Sequence, residues 1–175
     1  MSSILKVSEI QDPTNGNSAL TVDSSGRLLT PARPSFFAYV KTSDSSDTDY
    51  TSMTQVDFDA VQHNIGGHFS LSTNKFTAPV SGVYQFNWQV RLYQVQSAST
   101  ANAALRLNGA AHWGNSLYVY GGVEDPQGGH YISPGTSVTV QIDAGDEIDV
   151  WFSVAGDTTV RLQYAGTFFS GFLVG

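Results

Sequence analysis

The sequence predicts an all-β fold, a two-sheet sandwich of about ten antiparallel strands. Three observations predict it. Tyr84, Phe86, Trp88 and Val90 alternate with Gln85, Asn87, Gln89 and Arg91. A period of two sends successive side chains to opposite faces, so this segment is a strand with an aromatic core wall. The 175 residues are 12% aromatic, only 13% charged, and include 17 glycines. That balance suits strands and turns better than helices. No apolar period of 3.6 runs for a useful length anywhere in the chain.

Bulk properties exclude several classes. A chain of this length buries roughly 70% of its unfolded surface, enough for one sizeable domain and a short extra segment. It has no cysteine, so packing alone supplies stability and no thiolate metal site exists. No apolar run of about 20 residues is present, so no membrane-spanning helix is expected. The opening Met1 to Ile10 lacks the apolar core and cleavage pattern of a signal peptide. Eight Lys and Arg against 15 Asp and Glu leave a net charge of −7, which argues against nucleic-acid binding through phosphates.

Element by element, the chain opens with an apolar patch at Ile4, Leu5, Val7 and Ile10, then a turn through Asp12-Pro13-Thr14-Asn15-Gly16. Ala19 to Val22 and Arg27 to Leu29 read as short strands separated by Ser24-Ser25-Gly26. Three such pieces cannot bury a core alone, but several copies wound together can. Pro31 and Pro34 mark a boundary, because each holds the preceding residue extended. Residues 1–31 are therefore expected to form a stem or attachment segment, and residues 35–175 the main domain. That domain starts with a strand at Phe36 to Val40, then a polar loop, Thr42 to Thr54, carrying Asp44, Asp47 and Asp49. Gln55 to Val61 reads as one short strand. Pro79 and Gly82 bracket a corner before the aromatic strand. Ala103 to Leu107 ends at the Asn108-Gly109 turn. Leu117 to Tyr120 precedes an expected Gly-rich loop through Gly121, Gly122, Gly128 and Gly129. Val138 to Ile142 and Ile148 to Val154 alternate on either side of Ala144-Gly145-Asp146, and Val160 to Tyr164 alternates again. The last segment, Thr167 to Gly175, is apolar on both faces, as expected for a central strand or one that meets another subunit.

The order of several segments resembles the globular head of complement C1q and its tumour-necrosis-factor-like relatives. The resemblance covers Ser35 to Gly175. It rests on Phe36-Phe37-Ala38, Asn64-Ile65-Gly66-Gly67-His68-Phe69, Phe76-Thr77-Ala78-Pro79-Val80-Ser81-Gly82-Val83-Tyr84-Gln85-Phe86, Leu107-Asn108-Gly109, Ala144-Gly145-Asp146-Glu147-Ile148-Asp149-Val150 and Phe169-Ser170-Gly171-Phe172-Leu173. It implies a jelly-roll sandwich, a compact homotrimer with both chain ends at its base, and a binding role without catalysis. The segment Ile4 to Pro13, with Ala19 to Arg27, resembles the opening of tail-fibre and other virion structural proteins of marine bacteriophages. Together the two resemblances imply a trimeric fibre or decoration protein on the surface of a virion. Its N-terminal segment would attach to other virion proteins, and its head would contact a host-surface glycan or protein. The alternative is a secreted C1q-like lectin or protein-binding module with no virion.

No Gly-x-Ser-x-Gly elbow frames a serine, and no acid, base and metal set converges, so no catalytic residue is expected. His63, His68, His112 and His130 show no trusted ligand spacing. No cofactor is expected. Calcium at Asp44, Asp47 and Asp49 stays open, because some relatives bind calcium near the trimer top, although the spacing lacks the Gly and Glu of a helix-loop-helix calcium loop. Phe168, Phe169, Phe172 and Trp151 are the candidate trimer contacts. Trp113, Tyr118, Tyr120 and Tyr131 are the candidate recognition surface, since flat rings supply much contact area at little entropy cost. The bland reading of those four is that they complete the core or a subunit contact.

Overall fold

The computed structural model describes residues 6–95, 99–109, 118–125 and 130–175, with the backbone alone for 118–125 and 130. Every regular element among them is a β-strand, and every pairing is antiparallel. The N-terminal strands β1 (Glu9–Gln11), β2 (Ser18–Val22) and β3 (Leu28–Leu29) make a small sheet of their own. The Asp12 carboxylate holds the first turn by accepting from the Thr14 and Asn15 amides at 2.8 and 3.1 Å. Asp23 does the same for Ser25 and Arg27 in the second turn.

The remaining strands build a sandwich. Its first layer is a five-stranded sheet in the order β14 (Gly135–Ile142), β9 (Gly82–Gln89), β17 (Phe168–Leu173), β4 (Ser35–Tyr39) and β6 (Ala60–Ile65). Its second layer runs β12 (Tyr118–Asp125), β11 (Ser99–Leu107), β15 (Glu147–Ala155), β8 (Lys75–Thr77) and β7 (Phe69–Ser70), with β5 (Thr54–Gln55) also paired to β15. At one end a three-stranded sheet is added, in the order β13 (His130–Ile132), β10 (Leu92–Val95) and β16 (Arg161–Leu162). The expected jelly roll is present.

Alternation dictates what lies between the layers. Tyr84, Phe86 and Trp88 of β9 point inward with Phe36 of β4 and Phe169 of β17. Ile148, Val150, Phe152 and Val154 face them from β15. Phe36 touches Phe69 and Phe76 in stacked pairs at 5.0 Å and meets Phe169 edge-on at 4.8 Å. Offset and edge-on rings are the favoured aromatic geometries, so the core is a linked aromatic network.

Two expectations about elements need correction. Gln55 to Val61 is not one strand: Thr54–Gln55 joins β15, while Ala60–Ile65 pairs with β4 in the other layer. The chain crosses between sheets here, and Val56 and Phe58 plug the crossing with almost no exposure. The sequence alternates because both residues face the core, whichever sheet is nearer. Likewise, the loop expected at Gly121 and Gly122 is strand: Gly121 pairs with Ala103 and Gly122 with Asn102. A long partner strand overrides the weak strand preference of glycine.

Candidate functional site

The register defines two ends. At one, Ser35 pairs with Phe172 and Ile65, and Gly82 with Ile142; the N-terminal segment enters the sandwich here. At the other, Gln89 pairs with both Phe168 and Gly135, and Tyr39 with Ala60. Eight residues of β9 separate the two ends, roughly 25 Å at the usual rise of a strand. Beyond Gln89 the chain runs directly into β10, so the small β13-β10-β16 sheet lies at the end opposite the N-terminal entry.

The outward face of that small sheet carries a distinctive side-chain cluster. Leu92 points inward and is fully buried, so its neighbours Arg91 and Tyr93 point out. Leu92 pairs with Ile132, which brings Tyr131 beside Tyr93. The two tyrosine rings lie 4.7 Å apart at an interplanar angle of 29°. The Arg91 guanidinium sits 4.2 Å from the Tyr131 ring centroid, a cation–π contact. It is held there by a 2.7 Å bond that it donates to the Ala165 carbonyl. Tyr131 remains 51% exposed, and Tyr164, in the neighbouring loop, 58%. Arg161, the register partner of Tyr93, pairs with Asp47 at 2.6 Å. Tyrosine and arginine that are held rigidly yet stay wet are the composition of binding hot spots.

Of the four residues expected on a recognition surface, Tyr131 lies in this cluster. Tyr118 and Tyr120 occupy β12, in register with Arg106 and Ala104. Trp113 lies outside the described residues. Arg91 and Tyr93 were missed, although the Arg-Leu-Tyr alternation that follows Val90 carries the signal.

The structure does not bring the four candidate trimer contacts together. Phe169 is fully buried inside its own chain, among Phe36, Phe58, Phe69 and Phe86. It faces inward because β17 is paired on both sides and its odd-numbered residues face the core, so it is withdrawn from any subunit contact. Trp151 is on the outer face of the other layer, beneath the Arg106 guanidinium at 4.0 Å. Phe168 and Phe172 do share the outer face of the five-stranded sheet, with Phe172 43% exposed. Phe37 stacks on Phe168 at 5.6 Å and lies 6.2 Å from Tyr39. Phe37 and Tyr39, each half-buried, share this outer face with Phe168 and Phe172. The alternation of Phe36-Phe37-Ala38-Tyr39 allowed them to be found.

The acidic loop is tied down by the protein itself. Asp44 accepts from the Tyr50 hydroxyl at 2.7 Å and the Leu162 amide at 2.8 Å. Burial and this carboxylate push the Tyr50 hydroxyl well above the ordinary tyrosine range. Asp47 engages Arg161, and Asp49 accepts from the Thr51 amide, which holds its carboxyl below the usual range. A cleft of about 270 Å³ beside Tyr50 and Phe152 is rimmed by Asp44, Asp57 and Asp59. Asp57 accepts from the Asn74 side-chain Nδ2 at 2.7 Å, and Asp59 from the Lys41 and Thr42 backbone amides. Among the described residues, no group of three or more His, Asp or Glu could hold a metal ion. Among the described residues, Asp149 is a strongly buried carboxyl on the outer face of the second layer. Desolvation raises its pKa, against the opposing pull of the nearby Trp151 N–H, Lys75 and Arg106.

The fold is an antiparallel jelly roll with a Tyr–Arg cluster at one end and its chain entry at the other. The profile of the C1q domain matches residues 35–174. Complement C1q tumor necrosis factor-related protein 5 of Rattus norvegicus is 32% identical over 126 residues, 69% of this chain and 46% of its own length. The corresponding protein 2 of Mus musculus is 26% identical over 121 residues, 68% of this chain and 37% of its own length. The globular domain of zebrafish complement 1qA superposes with a TM-score of 0.58 at 18% identity, covering 82% of this chain and 98% of that domain. Murine APRIL superposes with a TM-score of 0.59 at 16% identity, covering 81% and 99%. These two structures show the shared fold. The chain belongs to the C1q domain family. It spans less than half the length of these curated relatives, and residues 1–34 lie outside the C1q match.

Proposed function

We propose that the chain is a non-catalytic, extracellular C1q-like module that assembles as a homotrimer and binds a protein partner through its distal Tyr–Arg cluster. The observation that carries this reading is the exposed Tyr131 ring, stacked on half-buried Tyr93 with Arg91 against it, at the end opposite the chain entry. The trimer reading is supported by the Phe37, Tyr39, Phe168 and Phe172 patch, since wet aromatics of this density on one sheet face mark an interface.

The test has two arms. Light scattering after size exclusion is expected to give about three times the chain mass; a folded monomer would overturn the trimer. Arrays of cell-surface proteins and of glycans are then probed with the labelled wild type, Tyr131→Ala and Arg91→Ala. Protein targets that bind the wild type and lose about tenfold or more in both variants support the reading. Binding confined to glycans converts the module to a lectin, and silence on both arrays removes the recognition role.

A second reading rests on the resemblance of Ile4 to Pro13 and Ala19 to Arg27 to virion structural proteins, in a segment that lies outside the C1q match. In this reading the module is a fibre or decoration protein, with the N-terminal segment attached to other virion proteins and the head directed at a host surface. Its presence among the proteins of purified particles, measured by mass spectrometry, supports that reading; its absence removes it.

A further inference from the structure

We propose that the N-terminal sheet is one third of a three-chain β-stem, closed by packing its apolar face against the same face of two other copies. This deepens the trimeric reading of the head and rests on it.

The face is defined by register. Ile10 pairs with Leu20, and Val22 with Leu28. Leu20 and Val22 are two apart on β2, so all four aliphatic side chains share one side. Thr21, with its partners Glu9 and Leu29, takes the other. Ile10 is 46% exposed, Val22 40% and Leu28 63%, and Leu20 is half-buried.

The occupant follows from an energetic mismatch. Local chemistry specifies this sheet well: two Asp-anchored turns, glycines at φ +72° and +77° where the turns need them, and an Asp23–Arg27 pair at 2.6 Å. Yet its strands hold three, five and two residues and pair only with one another. A lone unit this far below the roughly 40 residues that an unstapled domain usually needs is marginal in water, the more so with a bare apolar face. A sheet so specified but so thin needs a cover present throughout its life. A second and third copy of the same chain meet that need in fixed proportion. Geometry supplies them, since the segment enters each head at Ser35, next to Phe172 at the base. Three heads joined at their aromatic faces hold three such sheets on short tethers, at an effective concentration on the order of millimolar.

The absence of cysteine makes the test clean. Single variants Leu28→Cys and Ile10→Cys probe the proposed inner face, and Leu29→Cys the outer, all in the full chain. Reaction with a small aromatic disulfide reagent is expected to be at least about tenfold slower at positions 28 and 10 than at 29. Light scattering is run on each variant. A trimer in which thiols at 10 and 28 react as fast as at 29 overturns the stem and leaves the trimeric head standing. A monomer overturns both. Two inner-face probes are used so that one variant perturbing the packing does not decide the outcome.

Discussion

Replacing Phe169 by alanine is expected to cost about 3–5 kcal/mol of folding stability, because the ring is wholly internal and its loss leaves a cavity. The upper half of that range is expected, for two reasons. Phe169 is ringed by four aromatic neighbours, Phe36, Phe58, Phe69 and Phe86, at centroid distances of 4.8 to 6.2 Å. Its edge-on contact with Phe36 adds roughly 0.5–1.5 kcal/mol beyond area burial. Nor can the site collapse easily, because β17 is locked between β9 and β4 on both sides. A domain of ordinary stability holds only about 5–15 kcal/mol, so the variant loses a large share of it. The measurement is urea denaturation followed by tryptophan fluorescence, with Trp88, the buried register partner of Phe169, as one reporter. Protein concentration is held constant, since subunit association shifts apparent stability by mass action. If Phe169→Ala costs less than about 1 kcal/mol, the inward assignment of Phe169 on the last strand is wrong.

Three further outcomes are expected. Gly171→Ala places a Cβ 2.5 Å from Phe86 Cδ1 and 2.9 Å from Phe36 Cε1; thermal melting is expected to show a loss of about 1–3 kcal/mol from overpacking alone. Asn108→Ala removes a side chain that donates to Asp146 and accepts from the Glu147 amide, both at 2.8 Å, at a residue with φ of 53°; denaturation is expected to show a loss of roughly 2–3 kcal/mol. Asp149→Asn tests burial: desolvation raises the folded-state pKa above the ordinary aspartate value, so the folded chain holds this proton where the unfolded chain has released it. Stability from this site is therefore lost as pH rises through that interval, and melting curves from about pH 3 to about pH 7 should show the variant gaining on the wild type as pH rises; a constant difference would contradict the shift.

Much of the fold was legible because it rests on alternation. Tyr84-x-Phe86-x-Trp88 reads as a core wall in any sheet, and the structure buries all three. The Asn108-Gly109 and Ala144-Gly145-Asp146 turns needed only local backbone preference, and both residues at φ +70° and +91° are glycine. Legibility failed where a side chain's direction depended on a partner strand. Thr167 to Gly175 is apolar on both sides, so nothing in the string says that Phe169 points inward and Phe168 outward. Gln55 to Val61 alternates as one strand would, although the chain changes sheets within it. The candidate site was half visible. Tyr131 stood out as an aromatic near glycines, but its companions Arg91 and Tyr93 lie 40 and 38 residues earlier and meet it only through the pairing of β10 with β13.

The amino-acid order by itself determined an antiparallel β-rich chain, its main turns and the aromatic composition of its core, because periodicity and turn chemistry act over a few residues. Only the tertiary structure decided which face of the last strand is internal, which aromatics share an outer patch, and that a Tyr–Arg cluster stands opposite the chain entry. Those outcomes depend on register between strands far apart in sequence, and register is set by the packing of both sheets at once.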